Sequence, residues 1–195
     1  NGTLPGPNSG YPCCRYNFHM GWPKLVQNSW AATDDGGLAV MAYSPTVVNA
    51  LAGGQQVAIT EDTAYPFEEQ VRLRIFAGGV VSFPLRLRVP GWCSNATISV
   101  NGQMQAGVIA GSFYRIARNW TNGDLVTVNL PMPLQTQMGP GQSVAINRGP
   151  LVYSLAIGEN WSVRTPDPLG LGFDEFELLP TTPWNYALQL NPTNP

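Results

Sequence analysis

The stretch Val71-Arg-Leu-Arg-Ile-Phe-Ala-Gly-Gly-Val-Val-Ser-Phe-Pro-Leu-Arg-Leu-Arg-Val89 decides the fold class. Val71, Leu73 and Ile75 share one face of a first run, and Phe83, Leu85, Leu87 and Val89 share one face of a second. An apolar period of two marks strands with one buried side. A loop of Gly78, Gly79 and Val80 turns the pair into a hairpin that sets Ile75 against Phe83 and Leu73 against Leu85. A shorter loop would oppose apolar and polar side chains, so register selects this one. The hairpin brings Arg72 opposite Arg86 on its outer side, where like charges repel. Either an acid stands nearby (Glu68, Glu69 or one from a neighbouring domain) or two solvated arginines splay apart.

Further strands follow on both sides. Leu38 to Tyr43 is short and stops at Ser44-Pro45, and Gln55 to Thr63 carries Val57 and Ile59 in alternation before Tyr65-Pro-Phe67 breaks it. Thr97 to Val100 precedes an Asn101-Gly102 turn; Phe113 to Ala117, Leu125 to Leu130, Val144 to Asn147 and Leu151 to Leu155 complete the series. Pro131 and Pro133 end the strand before them, because proline cannot donate to a ladder. Asn147-Arg-Gly-Pro150 reads as a bulge or tight connection, not a phosphate loop. From Gly158 to Pro183 the chain is rich in loop residues, with Glu175 to Leu179 as an edge strand. Many short strands with regular turn signals mean an antiparallel β-sandwich, and the fold class is mainly β.

Composition narrows the function. The 195 residues fit one large domain or two small ones, and the 21 glycines and 18 prolines agree with many turns and few long helices. Charged residues make up 11% and the net charge is -2, which leaves no electrostatic footprint for nucleic acid. No apolar run approaches the roughly 18 residues of a membrane-spanning helix. Sequons at Asn1, Asn95, Asn119 and Asn160 are possible N-glycan sites; Pro192 disqualifies Asn191. With the low charge and abundant Asn, Gln, Thr and Ser they suit an extracellular, secreted glycoprotein. The chain starts without Met or a signal peptide and reads as a piece of something longer.

The N-terminal part is different. Tyr11-Pro-Cys-Cys-Arg-Tyr-Asn-Phe-His-Met-Gly-Trp-Pro-Lys24 sets Cys13 beside Cys14 ahead of a helical segment read as residues 22 to 32, with Pro23 near its start and Trp22, Leu25, Val26, Ser29 and Trp30 along one face. The helix ends before Asp34-Asp-Gly-Gly37, which reads as a turn and not as a carboxylate pair. A disulfide between adjacent cysteines closes a strained ring, whereas two thiolates on one turn can fill two corners of a zinc tetrahedron. A metal-bound thiolate is also a nucleophile. The competing readings are a structural disulfide from Cys93 to Cys13 or Cys14, or inert buried thiols. His19 is the sole histidine and reads as a surface or substrate-contacting residue more readily than as a third ligand. Trp92, Trp120, Trp161 and Trp184 are candidates for stacking on sugars, although the first two, at strand edges, more simply complete a core or interface.

The Cys-Cys pair, Asn17, Gly21-Trp-Pro-Lys24 and the Trp-ended helix resemble glycoside hydrolase family 127, the β-L-arabinofuranosidase-like family. Leu87-Arg-Val-Pro-Gly-Trp92, Ile98-Ser-Val-Asn-Gly102, Trp120-Thr-Asn-Gly-Asp124, Leu130-Pro-Met-Pro133, Asn147-Arg-Gly-Pro-Leu-Val-Tyr153 and Trp184-Asn-Tyr-Ala-Leu188 continue the resemblance in order. It implies that residues 1–35 are the end of an (α/α)6-barrel catalytic domain whose remainder is absent, and that 36–195 form the β-sandwich region. It further implies Cys13 as the nucleophile, Cys13 and Cys14 as zinc ligands, and a glycan as substrate. The family site also needs a glutamate and a third cysteine on the metal and a glutamate as acid/base, all upstream of the pair. No carboxylate precedes Asp34 here, so an upstream barrel or a partner chain must supply them, and activity is not expected of this chain alone. A non-catalytic structural or carbohydrate-binding β-sandwich subunit of hydrolase ancestry is the alternative.

Overall fold

A computed structural model describes residues 12–167, 170, 172, 174–187 and 189, with the backbone alone given at 12–16, 18 and 142. Helix α1 (Pro12–Gln27) is followed by β1 (Trp30–Ala32), β2 (Leu38–Val40), β3 (Thr46–Ala52), β4 (Gln55–Thr63) and β5 (Gln70–Ala77). Then come β6 (Val81–Arg88), β7 (Thr97–Val100), β8 (Gln103–Met104), β9 (Phe113–Trp120) and β10 (Leu125–Asn129). The last strands are β11 (Leu134–Met138), β12 (Val144–Arg148), β13 (Leu151–Val152), β14 (Glu159–Thr165) and β15 (Glu175–Pro180).

Two compact units divide the chain. The larger, residues 19–134 with 148–151, is a sandwich of a four-stranded sheet (β1-β2-β6-β9) and a six-stranded sheet (β3-β4-β5-β10-β7-β8). All its pairings are antiparallel except β2 with β6, where Leu38 lies beside Leu85. The inward positions of both sheets form one cluster: Val81, Phe83, Leu85 and Leu87 from β6, and Ile59, Leu73, Ile75, Val126 and Val128 from the other sheet. Trp120 closes it, fully buried, its indole N–H donating to the Phe83 carbonyl at 2.9 Å. The smaller unit contains the three-stranded sheet β11-β12-β13 and the ribbon β14-β15, in which Trp161 pairs with Leu178 and packs edge-on against Phe176.

The expected hairpin is not formed. Strand β5 is taken on one edge by β4 and on the other by β10, so it has no edge left for β6. Residues 78–80 carry the chain from one sheet to the other, and the two runs face each other across the core. Arg72 consequently lies opposite Asp62 of β4, at 3.7 Å, and not opposite Arg86. Arg86 does face a like charge, but it is Arg115 of β9. The neutralising acid is Asp35, which accepts from Arg86 at 2.7 and 2.8 Å and from Arg115 at 3.3 Å. Bidentate pairing with Arg86 holds the Asp35 carboxyl well below the usual carboxylate range. Glu69 instead accepts from the Met132 backbone N–H and from Arg148.

The Asp-Asp-Gly-Gly turn positions that acid. Gly36 takes a φ of +72°, and Gly37 lies so close to Pro84 that a Cβ there would overlap the Pro84 carbonyl oxygen and ring. The Asn147-Arg-Gly-Pro motif is the tight β12–β13 connection, with Gly149 at φ +57° and packed on Met132 and Trp92. In the Trp120-Thr-Asn-Gly-Asp124 motif, Asp124 accepts from Thr121 N–H at 2.9 Å and from Asn101 Nδ2 at 2.8 Å, which ties two turns together.

Gly37→Ala should therefore cost about 3 kcal/mol or more in urea unfolding, since backbone must move to make room. Gly36→Ala, which enters open space at a positive φ, should cost only about 1 kcal/mol. Equal costs would contradict the close approach to Pro84.

Candidate functional site

Helix α1 carries the residues singled out for chemistry. It begins at Pro12, where a missing N–H costs nothing, and so places Cys13 and Cys14 in its first turn instead of ahead of it. It ends earlier than the apolar spacing suggested, at Gln27, because Trp30–Ala32 pairs with Leu38–Val40 across the Asp-Gly turn. The exit is capped locally: Asn28 donates from backbone and side chain to the Lys24 carbonyl, and Ser29 Oγ donates to the Val26 carbonyl at 2.8 Å. Met20, Trp22, Leu25 and Val26 are exposed, as are Asn17 and His19.

The side chains of Cys13 and Cys14 lie outside the described residues, and so does Asn1. Helical positions 13 and 14 stand about 100° apart around the axis, and position 19 falls on the opposite side from both. His19 is thus not placed as a third ligand. Among the described residues no group of three or more His, Cys, Asp and Glu could hold a metal. Two adjacent thiolates fit zinc in donor type and supply at most two of its four ligands. The third cysteine answers one open question. Cys93 is a buried free thiol whose Sγ lies 3.6 Å from the Pro131 carbonyl oxygen, so it bridges neither Cys13 nor Cys14. Burial pushes its thiol pKa up, which suits an inert core residue.

What joins the first strand to the facing sheet is a carboxylate. Glu61 is buried, and it accepts from Trp30 Nε1 at 3.1 Å, Thr46 Oγ1 at 3.1 Å and the Ser44 backbone N–H at 3.0 Å. Trp30 is the first strand residue after the helix. Its backbone pairs with Val40, and the neighbouring Ser29 carbonyl accepts from Met41 and Ala42. Desolvation of Glu61 outweighs its three donors and pushes its pKa up to about 7. Tyr43 sits beside it, donating to the Arg88 carbonyl at 2.7 Å and packed edge-on against Tyr65. Burial, followed by the charge of Glu61, raises the Tyr43 pKa and keeps that phenol protonated.

This cluster is not among the sites expected from sequence. The signal was present: Val57 and Ile59 set the inward parity of β4, and Glu61 falls on it. Of the tryptophans, Trp120 is core and Trp92 packs on Gly149, whereas Trp161 and Trp184 are exposed.

Residues 37–132 match the family model described as the β-L-arabinofuranosidase GH127 middle domain. This stretch resembles a GH127 middle domain. It runs from the glycine against Pro84 to the buried Met132 and takes in every strand of the two stacked sheets except β1. Among solved structures, a GH127 β-L-arabinofuranosidase from Geobacillus stearothermophilus T6 is similar to the chain at 25% identity and a TM-score of 0.66, over 92% of this chain and 32% of that one. Another GH127 β-arabinofuranosidase shares the fold at 22% identity and a TM-score of 0.66, over 88% and 32%. A further glycoside hydrolase does so at 20% identity and 0.65, over 97% and 37%. The chain spans about a third of the length of these relatives. No curated protein matches it in sequence.

The Glu61 carboxylate gives the sandwich a titratable link between its sheets. Its pKa is raised from 4.5 to about 7 on folding, so the stability it contributes is full below pH 4.5 and is lost as pH rises toward 7. Glu61→Gln removes that titration. Unfolding free energies measured from pH 4.5 to 7 should fall for the native chain relative to the variant, by about 3 kcal/mol across the window. Parallel curves for the two would show that Glu61 does not titrate there.

Proposed function

We propose that this chain is the C-terminal part of a secreted, retaining glycoside hydrolase acting on arabinose-containing glycans, with Cys13 as nucleophile. The observation that carries the reading is the GH127 match over residues 37–132. Cys13 and Cys14 hold zinc, and an upstream helical barrel or a partner chain completes the ligand set and supplies the acid/base group. Zinc, when bound, keeps the sulfurs deprotonated at neutral pH, which lets a thiolate stand where most retaining enzymes use a carboxylate. The Cys13 sulfur forms a bond to the anomeric carbon as the glycosidic C–O bond breaks, and the departing oxygen takes its proton from the acid/base group. Water then displaces the sulfur, and the same group accepts the water's proton, so the sugar leaves with its configuration retained.

In the full-length protein, Cys13→Ser should lower hydrolysis of an aryl β-L-arabinofuranoside by more than about a thousandfold while the thermal midpoint stays put. Turnover that survives the substitution contradicts the nucleophile. A full-length protein with no turnover at all supports the non-catalytic subunit instead.

Secretion is supported by the sequons at Asn95, Asn119 and Asn160, all of them exposed. Protein from its native source should lose mass on enzymatic deglycosylation; an unchanged intact mass overturns the glycoprotein reading.

A further inference from the structure

The outer face of the six-stranded sheet carries a row that the chemistry above does not use. Asn49 of β3 pairs with Ala58 of β4, and Ala58 pairs with Phe76 of β5, so the three side chains stand in line across the strands. The alanine is the low point of that line. Over it lies a groove of about 320 Å³, bordered also by Gln56 and by Asn122 from the turn after β9. Small-molecule sites run from roughly 300 to 1,000 Å³, so the space suits a small unit.

Each bordering residue has a definite chemistry. Phe76 is an aromatic ring left 37% exposed on an otherwise polar part of its strand, between Arg74 and the glycine turn. Asn122 Oδ1 accepts from the Ala77 backbone N–H at 3.3 Å, which orients its amide and leaves the NH2 group available. The side-chain amides of Asn49 and Gln56 have no hydrogen-bond partner among the described residues. None of the bordering residues is charged.

We propose that this groove binds a neutral sugar residue of a glycan chain. A sugar ring offers an apolar C–H face, which the Phe76 ring can cover, and a rim of hydroxyls that both donate and accept. Primary amides do the same, so Asn49, Gln56 and Asn122 match that rim in both directions. A phosphorylated or carboxylated ligand would find no counter-charge among the lining residues. An apolar protein surface laid over the groove would bury the Asn49 and Gln56 amides and the Asn122 NH2 group without partners, at a cost for each. The groove's chemistry specifies a neutral, hydroxyl-rich ligand; the choice of arabinose-containing chains as probe rests on the hydrolase reading above.

The test is calorimetric titration of the full-length Cys13→Ser protein, which does not consume the probe, with neutral arabinan oligosaccharides. Galacto-oligosaccharides and polygalacturonate are run as separate arms. The difference between this protein and the same protein carrying Phe76→Ala isolates the groove, and circular dichroism checks that the exposed substitution leaves the fold intact. A saturable component weakened at least about fivefold by Phe76→Ala, and again by Asn49→Ala, is expected. Identical titrations with and without the substitutions overturn the proposal, including the case in which the rest of the protein covers the groove. Polygalacturonate binding there as tightly as the neutral chains overturns the ligand class. Failure of the hydrolase reading appears elsewhere, as turnover that survives Cys13→Ser.

Discussion

Everything in the larger unit depends on two sheets closing their apolar faces on one another. The chain achieves this at residues 78–80, where it leaves one sheet and enters the other, so that Val71, Leu73 and Ile75 meet Val81, Phe83, Leu85 and Leu87 through the core. Each strand contributes one face at a spacing of two, and no helix is needed to cover either sheet. The outer faces are left for the charge pairs. The Arg86–Asp35–Arg115 group shows the second half of that division: two arginines forced side by side by strand register share one carboxylate delivered by a turn.

The same division explains why Glu61 is exceptional. It is an acid at an inward position, and it stays there because Trp30, Thr46 and Ser44 surround it with donors. Trp30 opens β1, whereas Ser44 and Thr46 stand at the start of β3, so the carboxylate links the two sheets there. A buried carboxylate is costly in itself, so its role is better described as fixing one geometry between the sheets than as adding stability.

Much of the fold could be read from residues alone, and the exceptions have physical reasons. Alternation located β4, β5, β6, β7 and β10 closely, since a strand with one buried face has few ways to be misread. Alternation could not tell a hairpin from a crossing between sheets, because both demand the same inward set from both strands. The distinction lies in which edges of β5 are already occupied, and that depends on β4, just before it, and on β10, far along the chain. The helix end was misplaced because Trp30 continues the helical spacing, although its indole is wanted by Glu61 and its backbone by Val40. β14 was passed over as loop, since Glu159, Asn160 and Ser162 dilute its apolar positions. For the site, Cys13 and Cys14 are expectations from a resemblance of motifs, Glu61 is marked by the inward parity of β4 although its partners are not, and the Asn49–Ala58–Phe76 row emerges only once strands are laid side by side.

Cys93 has a practical meaning beyond the pairing it rules out. A β-sandwich whose one buried thiol in the described region is unbridged does not draw its cohesion from a covalent staple. Its assembly is indifferent to the redox poise of the compartment in which it is made, so a reducing bacterial cytosol is as suitable a place to produce it as an oxidising secretory route.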